Sequence, residues 1–302
     1  MALTRSWESE NTIEPNVALA LIQDQFPALR PEKIKLLGIG WDNTAYLIND
    51  EFVFRFPRRN ISLPLLNTEF RVLPKIKPRL PLAIPYPEWS GSPAKGYPWS
   101  FTGYRMLPGM TACSVNLSND ERTRLAAPLA RFLAALHATP ISLDIEPYLQ
   151  GDVLGRLDAD RLIRLIKTNL EELDFLGLFV NENQFHQIVE KEYRDPTSST
   201  LVHGDFYVRH LLVNEEHLAA GVIDWGDIHI GDPAVDLSVA HSFLPQTAHK
   251  TFRDAYGKIT EKTWDLARLR ALYHSSILAI YGHHSDDEII KREGLLSLIR
   301  LQ

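Results

Sequence analysis

The spacing of apolar residues changes partway along this chain. From residue 16 to 26, Val17, Leu19, Ala20, Leu21 and Phe26 fit one face of a helix. Ile34 to Gly40, Thr44 to Ile48 and Glu51 to Phe56 then read as three short strands, with Asn49-Asp50 as a two-residue hairpin signal between the last two. Leu63 to Ile76 returns to helical spacing, and Pro74 is expected to end that helix early. The Pro-rich run from Pro78 to Pro98 predicts extended strands and turns, and Phe101 to Leu107 one more strand before Pro108-Gly109. Beyond that point the pattern is mostly helical. Ser118-Asn119-Asp120-Glu121 is a capping-box signature, and Leu125, Leu129, Phe132, Leu133 and Leu136 follow it as an apolar stripe, with Pro128 tolerated as a kink or an early-turn residue. Further helices are predicted at 158–179, 181–193, 233–243, 247–256 and 261–282, with a last one from Asp287 to Leu301. The chain shows no internal repeat and no low-complexity linker.

The pattern predicts an α+β protein of two lobes: a small β-rich lobe at 1–107 with one helix in its middle, and a larger α-helical lobe at 108–302. With 302 residues, 45% hydrophobic and 23% charged, a packed core is expected. A net charge of −6 without a basic block argues against a nucleic-acid partner. The single cysteine, Cys113, excludes an internal disulfide and suits a reducing cytoplasm. The start, Met1 to Glu8, lacks an apolar leader, and no run approaches the roughly 18 apolar residues of a membrane helix, so a cytoplasmic protein without a membrane partner is expected.

The chemistry concentrates between Leu201 and Leu237. Leu201-Val202-His203-Gly204-Asp205 and Val222-Ile223-Asp224-Trp225-Gly226-Asp227 each place a carboxylate just after a short apolar β-type run, and Asn214-Glu215-Glu216-His217 reads as the turn between two small strands. Two acids at the ends of neighbouring strands suit phosphoryl transfer. One carboxylate orients the attacking hydroxyl, and the other holds a metal on the nucleotide phosphates.

These residues resemble the aminoglycoside phosphotransferase family, a branch of the protein-kinase-like fold. His203-Gly204-Asp205 is similar to its catalytic loop, Asp224-Trp225-Gly226-Asp227 to its metal loop, and Asp232-Pro233-Ala234-Val235-Asp236-Leu237 to the helix start that follows. The family has Asn five residues after the catalytic Asp, whereas this chain has His210, a replacement found in the macrolide phosphotransferase branch. The resemblance implies Asp205 as the catalytic residue, and His210 and Asp224 as ligands of Mg²⁺, with Mn²⁺ as an alternative. It also implies ATP or GTP as the donor, and a small-molecule hydroxyl, on an aminoglycoside or a macrolide, as the acceptor.

The N-terminal lobe supplies the matching nucleotide residues. Leu36-Leu37-Gly38-Ile39-Gly40-Trp41-Asp42-Asn43-Thr44 joins two predicted strands and could bring backbone N–H groups to phosphates, making Gly40, Trp41 and Asn43 candidates. Arg55 alternates with Phe52, Phe54 and Phe56, which are expected to face the core, and occupies the point where kinases carry a phosphate-bridging Lys. Glu69, in the helix that follows, is its expected partner. Met106, just before the lobe boundary, resembles the hinge, where backbone groups meet the purine.

The acceptor is less legible. Asp144, Glu146, Asp152, Asp158 and Asp160 bias one region toward acid, which suits a cationic aminoglycoside, but helix-start acids give the same composition. Phe175, Leu178 and Phe179 fit either an apolar macrolide or the core. His137 reads as structural, and Asp236 as an anchor for the catalytic loop. A protein kinase is disfavoured because so few residues separate Asp224 from Asp232. A nucleotide-binding, pseudokinase-like module without transfer is the alternative, raised by Arg55 and His210.

Overall fold

The computed structural model describes residues 10–40, 42–178, 182–197 and 200–302. The chain forms two compact units, one from residues up to Pro78 plus Ile84–Leu107, the other from Arg79–Ala83 plus Pro108–Gln302.

The first unit is built on a five-stranded antiparallel sheet, β1 (Ile34–Ile39), β2 (Asn43–Ile48), β3 (Phe52–Pro57), β4 (Trp89–Gly91) and β5 (Phe101–Arg105), in the order β1-β2-β3-β5-β4. The expected hairpin forms, but three residues separate β2 from β3. Asn49 and Asp50 take left-handed φ values of 53° and 57°, and Glu51 N–H donates to Ile48 O. Phe52, Phe54 and Phe56 turn to the core as the alternation requires, joined by Tyr46, Phe101 and by Ala18, Leu21 and Ile22 of α1 (Pro15–Gln25). Phe56 stacks on Phe101 with centroids 4.5 Å apart. Burying each ring stabilises the unit by about 1.5–3 kcal/mol. Gly103 lies opposite Phe54 across the ladder, and a Cβ there would sit 2.4 Å from the ring, so only glycine allows that approach. Helix α2 (Ser62–Ile76) does not stop early at Pro74. The proline falls in the last turn, where one N–H is lost while Lys77 N–H still reaches Leu73 O.

The second unit is largely helical. Its long helices are α3 (Asn119–His137), α4 (Ala159–Phe175), α8 (Glu261–His284) and α9 (Glu288–Leu301), with α5 (His186–Val189), α6 (Ala234–Ser242) and α7 (His249–Tyr256) shorter. The capping box at Ser118 forms in both directions. Helix α4 ends earlier than residue 179: Gly177, at φ 69°, donates to Asp174 O, and Leu178 N–H donates to Leu173 O, the hydrogen bonds of a Schellman cap. Phe179 lies outside the described residues. The helix expected over 181–193 shrinks to a 3₁₀ turn, Glu182–Phe185, and α5. The Tyr193 hydroxyl takes the Ile188 carbonyl that a continuing helix would need.

Two small sheets complete the unit, β6-β8-β9 (Met110–Thr111, Leu211–Val213, Ala219–Val222) and β10-β7 (His229–Gly231, Thr200–Val202). Residues Arg79–Ala83 precede Pro108 in sequence yet belong to this unit. Ala83 N–H donates to Ala220 O, and Val222 N–H to Ala83 O, which fastens the segment beside β9. No helix among the described residues is long and apolar enough to cross a membrane.

Candidate active site

Strand β7 delivers His203-Gly204-Asp205 at its C-terminal end. Gly204 takes φ 85°, and a Cβ there would lie 2.3 Å from Asp227 O, so the turn requires glycine. The turn hangs on a single carboxylate. Asp236, fully buried in the first turn of α6, accepts from His203 N–H at 2.7 Å and Gly204 N–H at 2.9 Å. Its Oδ2 also lies 3.1 Å from His137 Nε2, and His137 Nδ1 lies 2.8 Å from the Tyr256 hydroxyl. Burial alone would raise the Asp236 pKa, but these hydrogen bonds outweigh it and hold the carboxyl below its ordinary range.

His203 is a strut inside the loop. Its Nδ1 accepts from Asp205 N–H at 3.3 Å, and its Nε2 faces Ile223 O at 3.1 Å, which sets the Nε2–H tautomer. The ring packs against Trp225 at 4.7 Å, and burial lowers its pKa to about 4, so it stays neutral at pH 7. It is a support and not a base.

Asp205 emerges half-buried from this support. Burial raises its pKa, the neighbouring Asp224 adds to the rise, and His210 opposes it. His210 follows, immediately before β8, and its carbonyl accepts from Ile223 N–H at 2.9 Å. That bond brings Asp224, at the end of the β8-β9 hairpin, beside the histidine. His210 Nδ1 lies 2.9 Å from Asp205 O, while Nε2 lies 3.3 Å from Asp224 Oδ2. Asp224 is exposed and takes a left-handed φ of 61°, a conformation uncommon outside glycine that Asp and Asn reach more readily than most residues. The structure thus brings Asp205, His210 and Asp224 together from the ends of three strands, β7, β8 and β9.

The hydrogen bonding defines what these groups can hold. Because Nδ1 of His210 faces a carbonyl, Nδ1 carries the proton in the neutral ring, and the Nε2 lone pair faces a carboxylate oxygen. Two acceptors 3.3 Å apart require a cation between them, a proton or a metal. Among the described residues no group of three or more His, Cys, Asp or Glu side chains could cage a metal. A cation that keeps water or phosphate oxygens and takes only one or two protein ligands fits this pair.

Around the pair the acids are already engaged. Asp152 accepts from Arg156 at both the backbone N–H, 2.6 Å, and the guanidinium, 2.8 Å. The same guanidinium binds Asp227, which supports the loop after Asp224. Asp158 caps α4 by accepting from Arg161 N–H. Asp232 accepts from Arg194, Thr197 and Ala234. Of the acids in this region, Asp152 is thus held in an ion pair and Asp158 in a helix cap. Sequence reasoning missed the basic side. His274 Nε2 lies 3.8 Å from Asp205 Oδ1, and Arg270 lies one turn before it on α8. Nothing in the local sequence ties a helix about 65 residues downstream to Asp205, and on α8 Arg270 and His274 are two among many polar positions.

In the first unit, Arg55 and Glu69 form a buried pair, Nη1 to Oε2 at 2.6 Å. Arg55 is therefore not a solvated strand-face cation. The loop between β1 and β2 is tied down from behind. Arg58 donates to Gly40 O at 2.6 Å, and Arg59 and Ser62 both reach Asp42. Gly40 N–H donates to Asn43 O, and Asn43 Oδ1 is buried without a partner. Trp41 lies outside the described residues. Met106 is exposed, and its N–H is already given to Glu51 O at 2.7 Å, which leaves its carbonyl for a ligand.

The sequence profile of the phosphotransferase enzyme family, APH, matches residues 33–272. The uncharacterized protein YcbJ of Bacillus subtilis (strain 168) is 22% identical over 264 residues, 82% of this chain and 82% of that protein. The GDP complex of wild-type aminoglycoside 2'-phosphotransferase-IIIa superposes with a TM-score of 0.68 at 24% identity, over 96% of this chain and 98% of that one. Macrolide 2'-phosphotransferase type I gives 0.60 at 22%, over 96% and 98%. These likenesses show the kinase-like fold. With the profile spanning most of its length, the chain belongs to the phosphotransferase enzyme family.

Proposed function

We propose that the protein is a nucleotide-dependent O-phosphotransferase that acts on a hydroxyl of a small molecule, with ATP or GTP as donor. The observation that carries this reading is the convergence of Asp205, His210 and Asp224, with His210 Nε2 at 3.3 Å from Asp224 Oδ2. Asp205 orients the acceptor hydroxyl and receives its proton. The hydroxyl oxygen bonds to the γ-phosphorus as the bond to the leaving nucleoside diphosphate breaks. His210 and Asp224 would hold Mg²⁺ or Mn²⁺, which would supply neutralisation of phosphate charge. Arg55, fixed by Glu69, steadies the phosphates, and Gly40, Asn43 and the Met106 carbonyl are its companions on the nucleotide. The raised pKa of Asp205 makes it a better proton acceptor than an ordinary carboxylate.

Relatives of this fold are named for aminoglycosides and macrolides, so these head the acceptor panel. The decisive assay follows transfer of labelled γ-phosphate from ATP and from GTP to that panel, with Asp205→Asn as control. Transfer that disappears in the variant supports the reading. Nucleotide binding without transfer to any acceptor would favour a binding module instead.

A further inference from the structure

Arg270 is the least explained charged group in the second unit. Arg270 is 9% exposed, it sits on α8, and among the described residues it makes no hydrogen bond and no carboxylate contact within 4 Å. The ring of Tyr273 lies 5.4 Å from the guanidinium. A buried guanidinium ordinarily finds a carboxylate, because its five donors lose water on burial. None of its nitrogens is both sealed from solvent and unpaired, so its donors open onto accessible space. One helical turn later on the same face, His274 places Nε2 3.8 Å from Asp205 Oδ1. Tyr207 packs edge-on against both His274, at 4.8 Å, and His210, at 4.5 Å, so this face of α8 stands beside the catalytic loop. The charges of Arg270 and Arg156 are both felt at Asp205.

Resting on the phosphotransfer reading above, we infer that Arg270 is a specificity-determining residue that pairs with an anionic group, a carboxylate or a phosphate ester, on the acceptor whose hydroxyl meets Asp205. The planar guanidinium offers a bidentate fork that matches either group. Arg156 does not compete for the role, since Asp152 and Asp227 already hold it. A polycationic acceptor would find Asp152, Asp158 and Asp232 already engaged and would meet the guanidinium of Arg270 on α8. The acceptor is thus a hydroxy acid, a sugar acid or a sugar phosphate in preference to an amino sugar.

The test has a binding arm and a transfer arm. D-gluconate, D-glycerate, shikimate and D-glucose 6-phosphate serve as anionic probes, D-glucose as neutral, and D-glucosamine and kanamycin as cationic. Binding is measured by calorimetry on the full chain without nucleotide, for wild type, Arg270→Gln and Arg270→Lys, with melting temperatures confirming that each variant is folded. The expected result is binding of at least one anionic probe, weakened at least about tenfold in Arg270→Gln and partly restored in Arg270→Lys, the scale of one charge-assisted hydrogen bond. In the transfer arm the same probe should show its loss as a raised KM. If no anionic probe binds, or if its affinity is unchanged in Arg270→Gln, the inference is overturned. Transfer to glucosamine or kanamycin that is lost in Asp205→Asn and keeps its KM in Arg270→Gln would overturn it too, while leaving the phosphotransfer reading intact. Arg270-dependent binding with no transfer to any probe would keep the anion site and count against the phosphotransfer reading.

Discussion

Asp236→Asn is the most informative test of how the catalytic loop is held. The change keeps the shape and removes the charge. Asp236 accepts three hydrogen bonds, from His203 N–H at 2.7 Å, Gly204 N–H at 2.9 Å and His137 at 3.1 Å, with no solvent exposure. An amide has one acceptor oxygen. If it stays toward His203 and His137, its NH₂ confronts the Gly204 N–H, and two donors face each other in a dry site. A buried unsatisfied donor costs ~1–3 kcal/mol, and two bonds lose their charge assistance, so the total is about 3 kcal/mol. For a unit of this size that corresponds to a fall in Tm of about 6–12 °C. Thermal and urea unfolding followed by circular dichroism measure it. Turnover should fall as well, because His203 and Gly204 set the backbone of Asp205, while the KM for nucleotide should hold. A loss below ~0.5 kcal/mol with normal turnover would refute the claim that this carboxylate anchors the loop.

Arg55→Ala should raise the nucleotide KM, with Glu69→Ala milder, and a double-mutant cycle on stability should give a coupling of roughly 0.5–3 kcal/mol for this buried 2.6 Å pair; additive losses would uncouple them. His210→Asn should shift metal preference from Mn²⁺ toward Mg²⁺, because an amide oxygen is a harder ligand than an imidazole nitrogen; identical metal titrations for parent, His210→Asn and His210→Ala would remove His210 as a ligand. Stability should fall as pH drops from 6.5 toward 4. His203 is held at about 4 by burial, so the unfolded chain binds a proton the folded one refuses, which costs about 1.4 kcal/mol per pH unit from this group alone. His241, His249 and His274 are shifted in the same direction, and a flat stability profile over that range would contradict their buried neutral state.

Much of this architecture is readable from local pattern. The two acids after short strands, the capping box at Ser118 and the alternation around Arg55 are all statements about neighbours in sequence, and the structure realises them as geometry. The Asp236 anchor was accessible for the same reason, since it lies at the start of the helix that follows the loop. What stayed hidden depends on distant chain. Arg79–Ala83 joins the second unit through two backbone hydrogen bonds that no side chain announces. The acids at 152 and 158 look like a polyanionic surface by composition, yet one is bound by Arg156 and the other is a helix cap. His274 reaches Asp205, with Arg270 one turn before it, only because α8 packs against the loop, and composition treats them as two more polar residues on a helix.

The central claim is that Asp205 accepts the proton of an acceptor hydroxyl during transfer. Single-turnover transfer of γ-phosphate by Asp205→Asn, compared with wild type on the first acceptor the panel yields, tests it most directly. General-base assistance contributes about 10²–10⁴-fold, so the transfer rate should fall by at least that lower bound while nucleotide affinity, measured separately, stays near wild type. Transfer at a rate close to wild type would contradict the account.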